Sequence, residues 1–64
     1  MTLAERMLDY RAKENISQKE LARRVGVTLQ TVNSIETRQQ TPSRLTVAKI
    51  ELIIGKDEKN DVED

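Results

Sequence analysis

The chain has 64 residues, contains neither cysteine nor histidine, and carries 11 basic and 11 acidic side chains that cancel. A chain this short holds one small core, and disulfides, Cys/His zinc sites and thiol or imidazole catalysis are excluded. The charge is uneven: residues 1–49 carry nine basic and five acidic side chains, whereas residues 50–64 carry two and six. No signal peptide or membrane-spanning run stands out, so we expect a cytoplasmic, non-enzymatic protein without a metal, cofactor or membrane partner.

The first two predicted helices have clear start signals. Thr2 and Ser17 are each followed three residues later by a glutamate. In this capping-box pattern the hydroxyl and the carboxylate each accept a hydrogen bond from the backbone N–H of the other residue. The pattern predicts helices over about 3–13 and 18–25.

A glycine separates the second helix from the third. Gly26 ends the second helix, and Thr28 is placed to cap a third helix over about 29–37. The two helices are only three residues apart, so the chain must turn sharply, and glycine adopts the left-handed conformation at little cost. Ala22 supplies a small side chain where the helices cross. This spacing predicts a helix-turn-helix over 17–37.

The fourth predicted helix is the most apolar. Thr41 as the cap and Pro42 as the first helical residue predict its start, and it ends near Ile54. Its apolar residues cover more than one face, so it is either the central core element or partly an interface. We expect an all-α fold, a compact four- to five-helix bundle over 1–55, followed by an acidic, flexible tail over 56–64.

The stretch ISQKELARRVGVTLQTVNSIE, followed by TPSRLTVAKI, resembles the Cro/repressor-type helix-turn-helix domain, also called the xenobiotic-response-element family. The resemblance implies a bundle of four or five helices that binds DNA as a dimer and acts in repression or autoregulation. Two features depart from the family pattern. Arg38 stands where the family usually has Gly or Asn, and the ending GKDEKNDVED has Val62 as its only large aliphatic residue, where the family tends to form a short apolar fifth helix.

The resemblance also implies which residues meet DNA, because the third helix of this fold enters the major groove. Base contacts are expected from Leu29, Gln30, Asn33 and Ser34. The amides of Gln30 and Asn33 can each grip adenine at N6 and N7. Phosphate contacts are expected from a group of amide, hydroxyl and basic side chains: Gln18, Lys19, Thr28, Thr31, Thr37, Arg38 and Arg44.

The predicted function is sequence-specific binding of double-stranded DNA by a transcriptional repressor or autoregulator that acts as a homodimer on a palindromic operator. The exposed half of the fourth helix, with the first helix or the tail, is the expected dimer surface. An antitoxin-like protein-interaction module, whose acidic tail engages a basic partner, is the alternative. Salt-dependent binding to duplex DNA favours the first hypothesis, and co-purification with a basic protein that requires residues 56–64 favours the second.

Overall fold

The computed structural model describes residues 1–55, which form four α-helices: α1 (Leu3–Glu14), α2 (Gln18–Val25), α3 (Leu29–Glu36) and α4 (Arg44–Ile54). No strand occurs in this range, and the all-α prediction is confirmed. None of the four helices has the length and apolar character needed to cross a membrane. The predicted acidic tail, and any fifth helix within it, lie outside the described residues.

Side-chain caps fix where the first three helices begin. The Thr2 hydroxyl accepts from the Glu5 N–H at 3.2 Å, and the Glu5 carboxylate accepts from the Thr2 N–H at 2.9 Å, so the predicted capping box is present. Ser17 and Thr28 cap α2 and α3 with their hydroxyls. Each such cap contributes about 1 kcal/mol to stability.

The start of α4 differs from the prediction. Ser43, not Thr41, is the N-cap, and its hydroxyl accepts from the Thr46 N–H at 3.2 Å. Pro42 therefore precedes the helix, and Arg44 is its first residue. A proline fits the extended segment before an N-cap as well as the first turn after it. The Thr-Pro pair therefore did not distinguish a helix that starts at Pro42 from one that starts at Arg44.

The core takes one fully buried side chain from each helix: Met7, Leu21, Val32 and Ile50. Truncating a side chain of this kind to alanine costs about 2–5 kcal/mol. Packing around these residues holds α3 against α1 and α2, and it leaves the opposite side of α3 open to solvent.

Three helix exits pass through a left-handed residue: Asn15 with φ 55°, Gly26 with φ 87° and Arg38 with φ 61°. Between α2 and α3, the N–H groups of Gly26 and Val27 both donate to the carbonyl of Ala22, at 2.8 and 3.0 Å. This bonding closes the end of α2 and starts the turn. The interpretation of Gly26 as the turn residue is confirmed, because glycine has no Cβ to oppose a positive φ.

Candidate nucleic-acid interface

The solvent side of α3 presents amides beside an aliphatic side chain. Gln30 and Asn33 are exposed, and Leu29 is 47% exposed. Residues three and four apart are neighbours on a helix surface, so these three side chains share one face. Three of the four predicted base-contacting residues are thus brought together.

The fourth predicted base contact, Ser34, is elsewhere. It is only 7% exposed, so the expectation that its side chain points outward is wrong. The chain folds back at this edge of α3, where the Gln39 N–H donates to the Ser34 carbonyl at 2.9 Å. Helical periodicity alone placed Ser34 near the exposed side, and the period does not include the tertiary packing that buries it.

A polar network ties α3 to α1 and α2. The Asn33 amide N–H donates to Gln18 Oε1 at 3.4 Å, and Gln18 Nε2 donates to Glu36 Oε1 at 2.8 Å. Arg11 Nη1 donates to the same Glu36 oxygen at 3.1 Å. The amide predicted to read a base is therefore connected through Gln18 to a charged pair inside the protein.

The charged pair is substantially buried. The Glu36 side chain is 3% exposed and that of Arg11 is 22% exposed. Two of their buried atoms, Glu36 Oε2 and Arg11 Nε, have no hydrogen-bond partner among the described residues. Removing either side chain would therefore leave the other charge without a partner, and an uncompensated buried charge strongly destabilises the folded state. Sequence reasoning did not identify this pair; the one signal for it is Arg11, four residues after the buried Met7 on the inner side of α1.

Surplus positive charge in the described part of the chain lies at three positions. Every acidic side chain between residues 1 and 55 takes part in a salt bridge. Lys19, Arg44 and Lys49 take part in none within this range, and all three are exposed. Lys19 lies in the first turn of α2 and Arg44 in the first turn of α4, where the helix dipole adds further positive potential.

Glu20 holds two arginines on the surface of α2. Arg23 Nε and Arg24 Nε donate to its carboxylate at 2.9 and 3.1 Å. These hydrogen bonds, the one from Arg23 first, lower the pKa of Glu20 to about 2. Ser17 accepts from the Glu20 N–H, but the reciprocal bond of the predicted capping box is absent between these residues because the carboxylate faces the arginines. Arg23 and Arg24 are thus engaged within the protein.

Three threonines predicted to meet phosphates lie around α3. The hydroxyls of Thr28 and Thr31 are 2.9 Å apart at its N-terminus, and the Thr37 hydroxyl donates to the Asn33 carbonyl at 2.8 Å at its C-terminus. The Thr28 and Thr31 hydroxyls thus lie in the first turn of α3, and the Thr37 hydroxyl lies at its end.

Arg38 contacts the beginning of α1. Its Nη2 donates to the Thr2 hydroxyl at 3.3 Å and lies 3.7 Å from Glu5 Oε2. The pKa of Glu5 is lowered, chiefly by the Thr2 backbone N–H and further by the nearby Arg38 charge. Both side chains are more than half exposed, so this pair is weak and open to competition from another anion.

The helices α2 and α3 are joined by a turn of three residues, and α3 carries an exposed face with two amides. This arrangement is that of a helix-turn-helix protein, in which the second helix is the recognition helix. The helix-turn-helix family model HTH_3 matches residues 7–59, and the chain belongs to this Cro/repressor-type family of DNA-binding transcriptional regulators, which are not enzymes. The chain is also similar to an uncharacterized HTH-type transcriptional regulator from Methanothermobacter thermautotrophicus, with 33% identity over 54 residues that cover 84% of this chain and 78% of the relative. No solved structure gives a significant match.

Proposed function

We propose that this regulator reads a specific duplex sequence by inserting α3 into the major groove. The observation that carries the proposal is the solvent face of α3, where Gln30 and Asn33 lie beside Leu29. Glutamine and asparagine match the N6–H donor and N7 acceptor of adenine, and an aliphatic group matches the thymine methyl. Ser34 is left out of the proposed readout because it is buried.

Phosphate contacts would surround this face and set the register of the protein on the duplex. They come from three places: the first turn of α2, the ends of α3, and the start of α4. The residues are Gln18, Lys19, Thr28, Thr31, Thr37, Arg38 and Arg44. The absence of salt-bridge partners for Lys19 and Arg44 within residues 1–55 supports their part in this set.

Selection of bound duplexes from a random pool, followed by titration of variants, tests the readout. Gln30→Ala and Asn33→Ala should each cost about 1–3 kcal/mol on the selected duplex and little on a scrambled one, since a bidentate base contact discriminates by that amount. Arg38→Ala should weaken both duplexes alike. Gln40→Ala is the matched control, because it removes an exposed amide that lies outside α3. Equal losses on both duplexes for Gln30→Ala and Asn33→Ala would show that α3 does not read the sequence.

A homodimer on a palindromic operator is the second part of the proposal, with the outer face of α4 as its surface. Leu45 is 68% exposed and Leu52 is 85% exposed, and they flank the small, exposed Ala48 on the same side of the helix. This pattern is self-complementary: when two copies pack antiparallel across a twofold axis near Ala48, Leu45 of one copy meets Leu52 of the other.

Engineered cysteines test this surface, since the chain contains none. Facing Cα atoms in a helix pair lie roughly 3.5–5.5 Å apart, given an interaxial distance of about 8–10 Å. We expect Ala48→Cys to form an intermolecular disulfide on the selected duplex, whereas the exposed Ala12→Cys on α1 serves as the control and does not. The double variant Leu45→Cys/Leu52→Cys should also cross-link. Leu45→Cys alone should not, because the two cysteines would be about 10 Å apart along the axis. Cross-linking by Leu45→Cys alone would contradict the antiparallel arrangement.

Repression or autoregulation follows when such a dimer occupies a site that overlaps a promoter. A reporter whose promoter carries the selected duplex tests this role, and lower expression in the presence of the protein is the expected result. The Asn33→Ala variant should restore expression. Engagement of a basic protein by the acidic tail remains a prediction, because residues 56–64 lie outside the described range.

A further inference from the structure

We propose that the buried carboxylate of Glu36 determines, through Gln18, which way the amide of Asn33 faces the DNA. The consequence is selection of adenine at the base pair that Asn33 reads. The inference rests on the proposed insertion of α3 into the major groove. It gives Glu36 and Gln18 positioning roles, since Glu36 does not reach the duplex.

The first step is the orientation of Gln18. An ionised carboxylate only accepts hydrogen bonds, so the Gln18 group that faces Glu36 must be its NH2. The observed distance from Gln18 Nε2 to Glu36 Oε1 is 2.8 Å. Arg11 holds the carboxylate in place, with Nη1 at 3.1 Å from the same oxygen. Rotating the Gln18 amide by half a turn would bring two acceptor oxygens together in a buried location.

The second step carries this polarity to the surface. With its NH2 directed to Glu36, Gln18 turns its carbonyl oxygen to Asn33, and this oxygen can only accept. The Asn33 NH2 therefore faces Gln18, at 3.4 Å. Of the three polar groups of the Asn33 amide, one N–H is used, and the carbonyl oxygen and the second N–H remain for a ligand.

The third step is the match to a base. Adenine presents one acceptor, N7, and one donor, N6–H, in the major groove, whereas guanine presents two acceptors, N7 and O6. One free N–H and one free carbonyl oxygen therefore pair fully with adenine. Guanine needs both N–H groups of Asn33, and one of them is held by Gln18. Glu36 thus disfavours guanine without contacting the base, because it fixes the orientation of the Gln18 amide and, through it, that of the Asn33 amide.

Gln30 provides an internal comparison. It lies on the same face of α3, but its side chain makes no hydrogen bond within the part of the chain that the structure describes. Its amide can turn either way. We expect a stricter adenine-over-guanine preference at the base pair read by Asn33 than at the one read by Gln30.

Titration against duplexes that differ at one base pair tests the inference. The base pair is the one whose preference is lost in Asn33→Ala, and it is presented with adenine or with guanine. The wild-type protein should prefer adenine by roughly 5- to 150-fold, the discrimination of one bidentate contact. Glu36→Gln should reduce this ratio, but it leaves Arg11 without its partner charge. Gln18→Met is therefore the main variant, since it removes the polar link and keeps the Arg11–Glu36 pair.

For Gln18→Met we expect loss of the proposed phosphate contact to weaken both duplexes. The guanine duplex should lose less affinity than the adenine duplex, so the adenine-to-guanine ratio should fall by about tenfold, within the range of one base contact. The preference at the base pair read by Gln30 should not change, which is the matched control in the same experiment. A Gln18 that only stabilises the fold or contacts a phosphate would weaken every duplex equally and leave the ratio unchanged. An unchanged ratio in a folded Gln18→Met protein, or guanine as the wild-type preference, would overturn the inference while leaving DNA binding by α3 intact. A wild-type protein that selects no sequence would instead refute the proposed function.

Discussion

The exits of α2 and α3 share a left-handed residue and one closing backbone hydrogen bond, but they are stabilised differently. At both exits, the N–H one residue beyond the left-handed position donates to the carbonyl five residues back, at 3.0 and 2.9 Å. The left-handed residue is Gly26 after α2 and Arg38 after α3. Apart from the two neighbouring residues, no atom of residues 1–55 lies within 4 Å of the place where a Cβ of Gly26 would be. Arg38, in contrast, uses its side chain to bind the start of α1.

The comparison shows two ways to hold a helix end. The α2 exit relies on the conformational freedom of one glycine and is a local feature of the sequence. The α3 exit relies on side chains from distant parts of the chain: Glu36 pairs with Arg11, and Arg38 contacts Thr2. The end of the proposed reading helix is thus coupled to α1, and substitutions at the two exits should differ in what they affect.

The largest expected effect is at the α3 exit. Arg11→Ala removes the charge that neutralises the buried Glu36 carboxylate, and it should lower the free energy of unfolding by about 2–4 kcal/mol, somewhat less than for a fully buried pair because Arg11 is partly exposed. Denaturant unfolding monitored by circular dichroism measures it. Arg23→Ala, which breaks an exposed pair, is the control and should cost less than about 1 kcal/mol. Equal losses of unfolding free energy in the two variants would show that the buried pair stabilises the fold no more than an exposed pair does.

The next effect is at the α2 exit. Gly26→Val should destabilise the protein by more than about 1 kcal/mol, because a β-branched residue resists a positive φ even where there is space for it. Gly26→Asn should cost less, since asparagine tolerates the left-handed region. Thermal melts of both variants check this order. An unchanged melting temperature for Gly26→Val would remove the explanation given for the glycine.

Arg38→Gly should separate stability from DNA binding. We expect a gain of about 0.5 kcal/mol in stability, because relief of left-handed strain exceeds the added freedom of the unfolded chain and the loss of a weak surface contact. DNA affinity should fall on selected and scrambled duplexes alike, and the salt dependence should decrease by about one phosphate contact. Arg38→Ala, which keeps the strain, should show the same binding loss without the gain in stability. A loss of stability in Arg38→Gly would mean that the contact with α1 outweighs the strain.

The smallest effect is a pH dependence on the surface of α2. The folded-state pKa of Glu20, about 2, lies below its ordinary value of 4.5. Its pairing with Arg23 and Arg24 therefore contributes fully above that ordinary value, and the contribution is lost as the pH falls toward 2. Thermal melts of wild type and Glu20→Gln should differ slightly at neutral pH and converge in acid. A difference that stays constant across this range would argue against the ion pairs as its source.

Local signals were the most predictable from the sequence. The caps at Thr2, Ser17 and Thr28 and the turn at Gly26 each depend on a few adjacent residues, and all four are present. The exposed positions of Gln30 and Asn33 followed from the period of α3. These features require no knowledge of how distant segments meet.

Features that depend on distant contacts were not predicted. The Arg11–Glu36 pair joins residues 25 positions apart, and nothing adjacent to either one indicates the other. Ser34 is only 7% exposed although its register on α3 places it near the exposed side, because burial depends on tertiary packing that the helical period does not include. Such pairing and burial can be recognised only when the packing of the helices is known.

The start of α4 was misplaced for a local reason. Two hydroxyl residues flank Pro42, and either one can serve as the N-cap.

The burial of Ser34 limits how this protein can be retargeted. A library built to recognise new duplexes would vary positions 29, 30 and 33, which face outward. Randomising position 34 as well would fill the library with poorly folded chains, because a larger side chain at a 7% exposed site overpacks the region beneath it. Position 33 also carries a constraint, since each replacement must coexist with the carbonyl oxygen of Gln18. The proposed recognition surface therefore offers two freely exchangeable positions, 29 and 30, and one conditional position, 33.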